Sequence, residues 1–182
     1  MEVLFAGSKD RGALCLEHLL DAGVKILGVV TEDENDPDSF WDRSVKKTAI
    51  ESGLDLYNPK DVNGSEFRNE VDSLGPDLMV LSGFSQIIGP EILSIPKEGI
   101  INLHAGKLPH YRGGSPMNWA IINGEKRGTA TIHYAAERVD AGDILAEREF
   151  PIGLNDTIED VRQKTLDIFP QMLVDVVKEL RN

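Results

Sequence analysis

Short apolar runs closed by glycine or polar residues alternate along this chain with stretches whose apolar positions recur at helical spacing. The run at 3–6, ended by Gly7, reads as a buried first strand. Leu14, Leu16, Leu19 and Leu20 then follow a helical period, with Asp10 placed to cap the helix and Gly23 to end it. A second buried strand is expected at 26–30, then an exposed acidic loop over 31–39, a helix over 42–51, a strand at 54–57 and a helix near 66–74. Apolar runs at 78–81 and 99–104 supply two further strands. Strands separated by helices of this length pair in parallel through crossovers, so a Rossmann-like, doubly wound sheet is expected. The later runs at 129–135 and 144–151 lie too close together for a crossover helix, which predicts a mixed or antiparallel C-terminal part. A last helix opens at Thr157 with Asp160 three residues on, a capping-box pattern. Ile158, Val161, Ile168, Met172, Val176 and Leu180 recur along it at helical spacing, and Pro170 is expected to kink or interrupt it near Phe169. With no repeat and no linker, residues 1–182 read as one α/β domain.

Charge narrows the partners. The 19 basic against 31 acidic residues leave a net charge of −12, and the basic residues are not clustered, so nucleic acid is disfavoured. No apolar run reaches bilayer length, and the first residues read as a strand rather than a leader, so a cytoplasmic protein is expected. The single cysteine, Cys15, falls in an apolar helical pattern and reads as a buried small hydrophobe. The four histidines lack metal-ligand spacing, so no metal site is expected. The turn from Gly7 to Gly12 lacks both the Lys-Ser/Thr of a phosphate loop and the middle glycine of a dinucleotide fingerprint.

One segment carries chemistry. The strand at 99–104 ends in Asn102 and His104, which share a face because side chains alternate along a strand. A carboxyl strand end in an open α/β sheet is where ligands bind. Beyond it lies a Gly/Pro-rich loop holding Tyr111, Arg112 and Gly113.

These residues resemble the signature of the folate-dependent formyltransferases: Asn102-Leu-His104, Leu108-Pro109, then Tyr111-Arg112-Gly113 and Pro116. The stretch Val139-Asp140-Ala141-Gly142-Asp143 is similar to the family's second signature, and Ser82-Gly83-Phe84 with Ile88 and Leu93 to its folate-pocket wall. The resemblance implies 10-formyltetrahydrofolate as cosubstrate without a metal, and Asn102, His104 and Asp140 as the catalytic set. It implies folate contacts from Ser82, Gly83, Phe84, Ile88, Leu93, Val139, Ala141, Gly142 and Asp143. Acceptor contacts are expected from Tyr111, Arg112, Gly113 and Asn118, with His133 either behind the catalytic set or a half-buried strand residue. Trp119 reads as core, in a short helix with Ala120 and Ile122 packed on the sheet. Where many members have Ser-Leu, this chain has Gly106-Lys107.

An amide donor and an imidazole suit a transfer in which negative charge develops on a formyl oxygen, and a carboxylate suits removal of the amine's proton. The run from Tyr111 to Trp119 most resembles the enzymes that formylate amino-sugar nucleotides, making such a small amine the expected acceptor. A methionyl-tRNA formyltransferase-like catalytic domain, a formyltetrahydrofolate hydrolase and a folate-binding regulatory domain are the alternatives. Oligomeric state is open, with a homodimer among the options.

Overall fold

The computed structural model describes residues 1–32 and 43–181. Most of the expected acidic loop, and the start of the helix expected at 42, lie outside the described residues. The described chain forms β1 (Glu2–Gly7), α1 (Lys9–Asp21), β2 (Lys25–Val30), α2 (Val45–Glu51), β3 (Leu56–Tyr57), α3 (Ser65–Leu74) and β4 (Leu78–Ser82). Then come α4 (Pro90–Leu93), β5 (Ile100–His104), α5 (Pro116–Ile122), β6 (Arg127–Tyr134), β7 (Ile144–Pro151) and α6 (Ile158–Leu180).

The strands make one sheet in the order β3-β2-β1-β4-β5-β6-β7. Pairing is parallel from β3 through β5 and antiparallel for β5–β6 and β6–β7. The doubly wound half and its antiparallel extension are both as expected. Strand order reverses between β1 and β4, the kind of crevice where such sheets receive ligands.

The central strands are apolar on both faces because helices cover both. Val3, Phe5, Leu78, Val80, Ile101 and Leu103 join one cluster with residues of α1 and α6. Leu4, Ala6, Met79, Leu81 and Ile100 join a second, with Phe67 and Val71 of α3 and Ile92 of α4. The alternation is the two-residue period of a strand, and it sets Asn102 on the same side as Ile100.

Four local expectations change. Ser8 takes the N-cap position of α1. Asp10 instead turns inward, where its carboxylate accepts from Arg162 Nη1 at 2.8 Å and the Arg43 amide at 2.9 Å. The strand at 54–57 shrinks to β3's two residues, paired at Val29 and Val30 of β2. Pro170 does not interrupt α6, which stays helical throughout with Phe169 and Pro170 both buried. A helix pinned by buried residues on both sides of the proline tolerates one lost backbone bond. Trp119 is 55% exposed and Ile122 69%, so only Ala120 of that trio packs inward. A two-turn helix presents one narrow inner stripe, and here Ala120 occupies it.

Candidate active site

Pairing across β5 and β6 builds the first half of the site. Asn102 stands opposite His133 in the antiparallel register, and His104 opposite Thr131. Directly opposed side chains share a face. The Asn102 amide nitrogen accordingly lies 3.2 Å from His133 Nε2. His133 is 1% exposed, and its Nδ1 meets the Tyr134 carbonyl at 2.8 Å. With Nδ1 donating to that carbonyl, Nε2 is left to accept from Asn102.

The loop from β6 to β7 brings the carboxylate. Asp140 adopts a left-handed backbone with φ of 50°, a conformation that costs a non-glycine residue energy and concentrates at functional sites. Its Oδ1 lies 3.3 Å from Asn102 Nδ2 and 3.3 Å from His133 Nε2; its Oδ2 accepts from the Gly113 amide at 2.8 Å and lies 3.4 Å from His104 Nδ1. Gly142 makes the loop's return possible. A Cβ there would stand 2.0 Å from the Tyr134 carbonyl oxygen, and the Asp143 carbonyl accepts from the Tyr134 amide at 2.9 Å. Beside it a register shift at Ile132/His133 marks a bulge that re-aims the strand ends.

His104 Nε2 meets the Tyr111 carbonyl at 2.5 Å, which places that nitrogen's proton toward the loop. Burial is the largest influence on its pKa and pushes it below the ordinary 6.5; the Tyr111 carbonyl and Asp140 pull the other way without reversing it. His104 is therefore neutral near pH 7, with Nδ1 open toward Asp140. For Asp140, burial pushes the carboxyl up most strongly. The contact with His133, the hydrogen bond from the Gly113 amide and the nearby His104 together hold it below the usual carboxylate value. An ionised carboxylate beside a neutral imidazole is a proton acceptor with a relay at hand.

These groups face a cleft of about 590 Å³, within the range of small-molecule sites. Of the residues expected to contact folate, Gly83, Phe84, Ile88 and Val139 line it; of the acceptor candidates, Gly113 and Asn118 do. The other expected contacts lie outside its lining. Ser82 is fully buried with its hydroxyl oxygen unpartnered, and Leu93 packs into the second core cluster. Ala141, Gly142 and Asp143 shape the loop without lining the cleft. Tyr111 turns its hydroxyl away, to Glu125 at 2.6 Å, and Arg112 Nε braces the loop on the Asp140 carbonyl at 2.9 Å. Sequence reasoning missed Lys9 and Arg11, which line the cleft from the start of α1. Their one signal was the position, the turn after the first strand, which matches no phosphate-loop pattern. Cys15 is buried, and burial pushes its thiol up to about 12, so it is no nucleophile. Among the described residues no group of acidic, His or Cys side chains is arranged to hold a metal, and no helix is long and apolar enough to cross a membrane.

Comparisons with known proteins give the family. The methionyl-tRNA formyltransferase of Clostridioides difficile (strain 630) is 37% identical over 185 residues, covering 98% of this chain; the chain spans 59% of that relative's length. The crystal structure of phosphoribosylglycinamide formyltransferase from Streptococcus pneumoniae TIGR4 superposes with a TM-score of 0.84 at 20% identity, covering 100% of this chain and 99% of that one. WlaRD, a sugar 3N-formyl transferase solved with dTDP and 5-N-formyl-THF, gives a TM-score of 0.79 at 21% identity, over 99% of this chain and 62% of that one. These two likenesses speak to the fold. The sequence profile of the formyl transferase family matches residues 3–177, nearly the whole length, and the chain belongs to that family.

Proposed function

We propose that this chain transfers a formyl group from 10-formyltetrahydrofolate to the amine of an amino-sugar nucleotide, with Asn102, His104 and Asp140 as the reacting set. The observation that carries the reading is that set's convergence: an ionised carboxylate within 3.4 Å of both an amide and a neutral imidazole, at one strand end facing one cleft. The apolar residues Leu81, Phe84, Ile87, Ile88 and Val139 suit the flat ring of a pterin. The cosubstrate would supply the activated formyl carbon.

The residues divide the remaining work. Attack by the amine makes one nitrogen–carbon bond, breaks the bond to the donor nitrogen and frees one proton. Asn102 gives one amide hydrogen to His133, and the other, held by Asp140 Oδ1 at 3.3 Å, can pass to the formyl oxygen as charge develops there. Asp140 takes the amine's proton, and His104 Nδ1, 3.4 Å away, can share it before its return to the leaving nitrogen. His133 holds Asn102 and Asp140 in place as a positioning residue. Residues 1–182 act as one catalytic domain in this reading, in the cytoplasm.

The acceptor follows from the resemblance of the run from Tyr111 to Trp119 and from the net charge of −12, which opposes a polyphosphate backbone. A second reading, transfer to methionyl-tRNA, draws support from the 37% identical relative. The test is a mass-spectrometric screen of amino-sugar nucleotides and of methionyl-tRNA with 10-formyltetrahydrofolate. A formylated sugar nucleotide supports the proposal, and product from the tRNA alone replaces the acceptor. Formate release without any amine product ends the transfer reading in favour of hydrolysis.

A further inference from the structure

A second cavity, of about 360 Å³, opens against the loop that follows β5. Gly106 and Tyr111 line it, and Ala105 lines both this cavity and the catalytic cleft, so one loop serves the two. Its apolar lining comes from segments far apart in the chain. Met117 and Ala120 belong to α5, Phe150 and Ile152 to the end of β7 and just beyond, and Val161 to α6. Side chains of this kind give water few partners, and a ligand that covers them gains by removing apolar surface from solvent.

Charge collects at the same place. The exposed Lys107, Lys126 and Arg127 line the cavity together with Glu125 and Glu149. Both carboxylates are engaged. Glu149 pairs with Lys107 at 3.4 Å and with Arg127 at 2.8 Å, and Glu125 accepts from the Tyr111 hydroxyl at 2.6 Å. Among the described residues that line the cavity, three cations against two carboxylates leave one positive charge over, on a chain of net charge −12. Lys107 and Arg127 share Glu149, so Lys126 is the cation placed to meet a ligand.

An apolar lining with one positive charge in excess selects an amphipathic monoanion. A carboxylate carries one charge, whereas a phosphate monoester carries nearly two at neutral pH and would sit beside two glutamates. The size, about 360 Å³, is at the lower end for small-molecule sites and admits a single ring with a short chain. We infer that this cavity binds an apolar monocarboxylate of about one ring's size, its carboxylate at Lys126 and its ring against Tyr111. Because His104 Nε2 meets the Tyr111 carbonyl at 2.5 Å, occupancy is transmitted to the imidazole, which makes the cavity an effector site. Binding is measured without turnover and does not depend on the formyl-transfer reading.

The experiment titrates phenylacetate, acetate and phenyl phosphate separately into the protein, Lys126→Glu and Lys126→Arg by calorimetry, with and without saturating 5-formyltetrahydrofolate. Imidazole signals are followed by NMR, with His104→Gln identifying the His104 resonance. Phenylacetate is expected to bind at least tenfold tighter than either acetate or phenyl phosphate, whether or not the folate is present. Lys126→Glu should lose tenfold or more of that affinity, Lys126→Arg should retain most of it, and bound phenylacetate should move the His104 signal. Equal affinity in Lys126→Glu, equal binding of acetate, tighter binding of phenyl phosphate or an unmoved His104 signal would each overturn the inference. Abolition by 5-formyltetrahydrofolate would overturn it too, by placing the ligand in the catalytic cleft. Failure of 5-formyltetrahydrofolate itself to bind counts against the folate reading alone.

Discussion

Asp140 combines a backbone that few residues adopt with a carboxylate reached by four nitrogens, and its replacement separates those two roles. Asparagine tolerates the left-handed region and keeps the shape but cannot take a proton. Asp140→Asn should lower kcat by roughly 10²- to 10⁴-fold with little change in the melting curve, measured by product formation and calorimetry. Gly106 is the second sensitive residue. A Cβ there would lie 2.7 Å from Pro116 Cβ, 2.8 Å from His104 Nε2 and 3.0 Å from the Tyr111 carbonyl, so a branched side chain larger than the family's serine, as in Gly106→Val, should displace the imidazole. The expected outcome is a loss of about 1–3 kcal/mol in denaturant unfolding, together with lost activity. Titration follows from the same contacts. The His104 pKa lies below 6.5 in the folded chain, so the unfolded chain binds that proton more readily. Its stabilisation is complete above pH 6.5 and is lost as pH falls through the folded value. Asp140, also lowered from its ordinary 3.8, adds a loss in the same direction at lower pH. Melting temperature should therefore fall from about pH 6.5 downward, and His104→Gln should flatten the upper part of that slope.

At the scale of elements, the clearest local signals became structure. Thr157 and Asp160 form the reciprocal cap of α6, with the Asp160 carboxylate accepting from the Thr157 amide at 2.8 Å. Thr157→Ala should cost about 1 kcal/mol by urea unfolding and leave turnover unchanged, because the cap is remote from the cleft. The apolar runs became β1, β2, β4 and β5 since each alternates between two covered faces. Weak signals fared worse. A four-residue helix such as α4, with Ile92 alone buried, leaves no periodicity to read. The exposure of Trp119 was invisible too, because a helical period says which residues share a stripe and not which stripe meets the core.

For the whole molecule, the sheet's reversal between β1 and β4 sets the cleft, and binding there should be visible as stability. At 100 times its Kd, 5-formyltetrahydrofolate should add about 2.7 kcal/mol to unfolding, read as a rise in melting temperature; no rise at saturating ligand would mean the cleft is not the folate site. Family, strand content, the antiparallel extension and the shared face of Asn102 and His104 were all determined by sequence, because apolar alternation and a spaced signature are local properties that one strand expresses alone. Tertiary structure decided which side chains meet. Asp140 reaches Asn102 across 38 positions, and Asp10 is claimed by Arg162 across 152. The outward turn of Tyr111 and the bracing role of Arg112 likewise depend on loop closure and on groups brought from distant segments. Such neighbours exist only once the chain has folded, since burial and the competition for partners set each group's charge and direction.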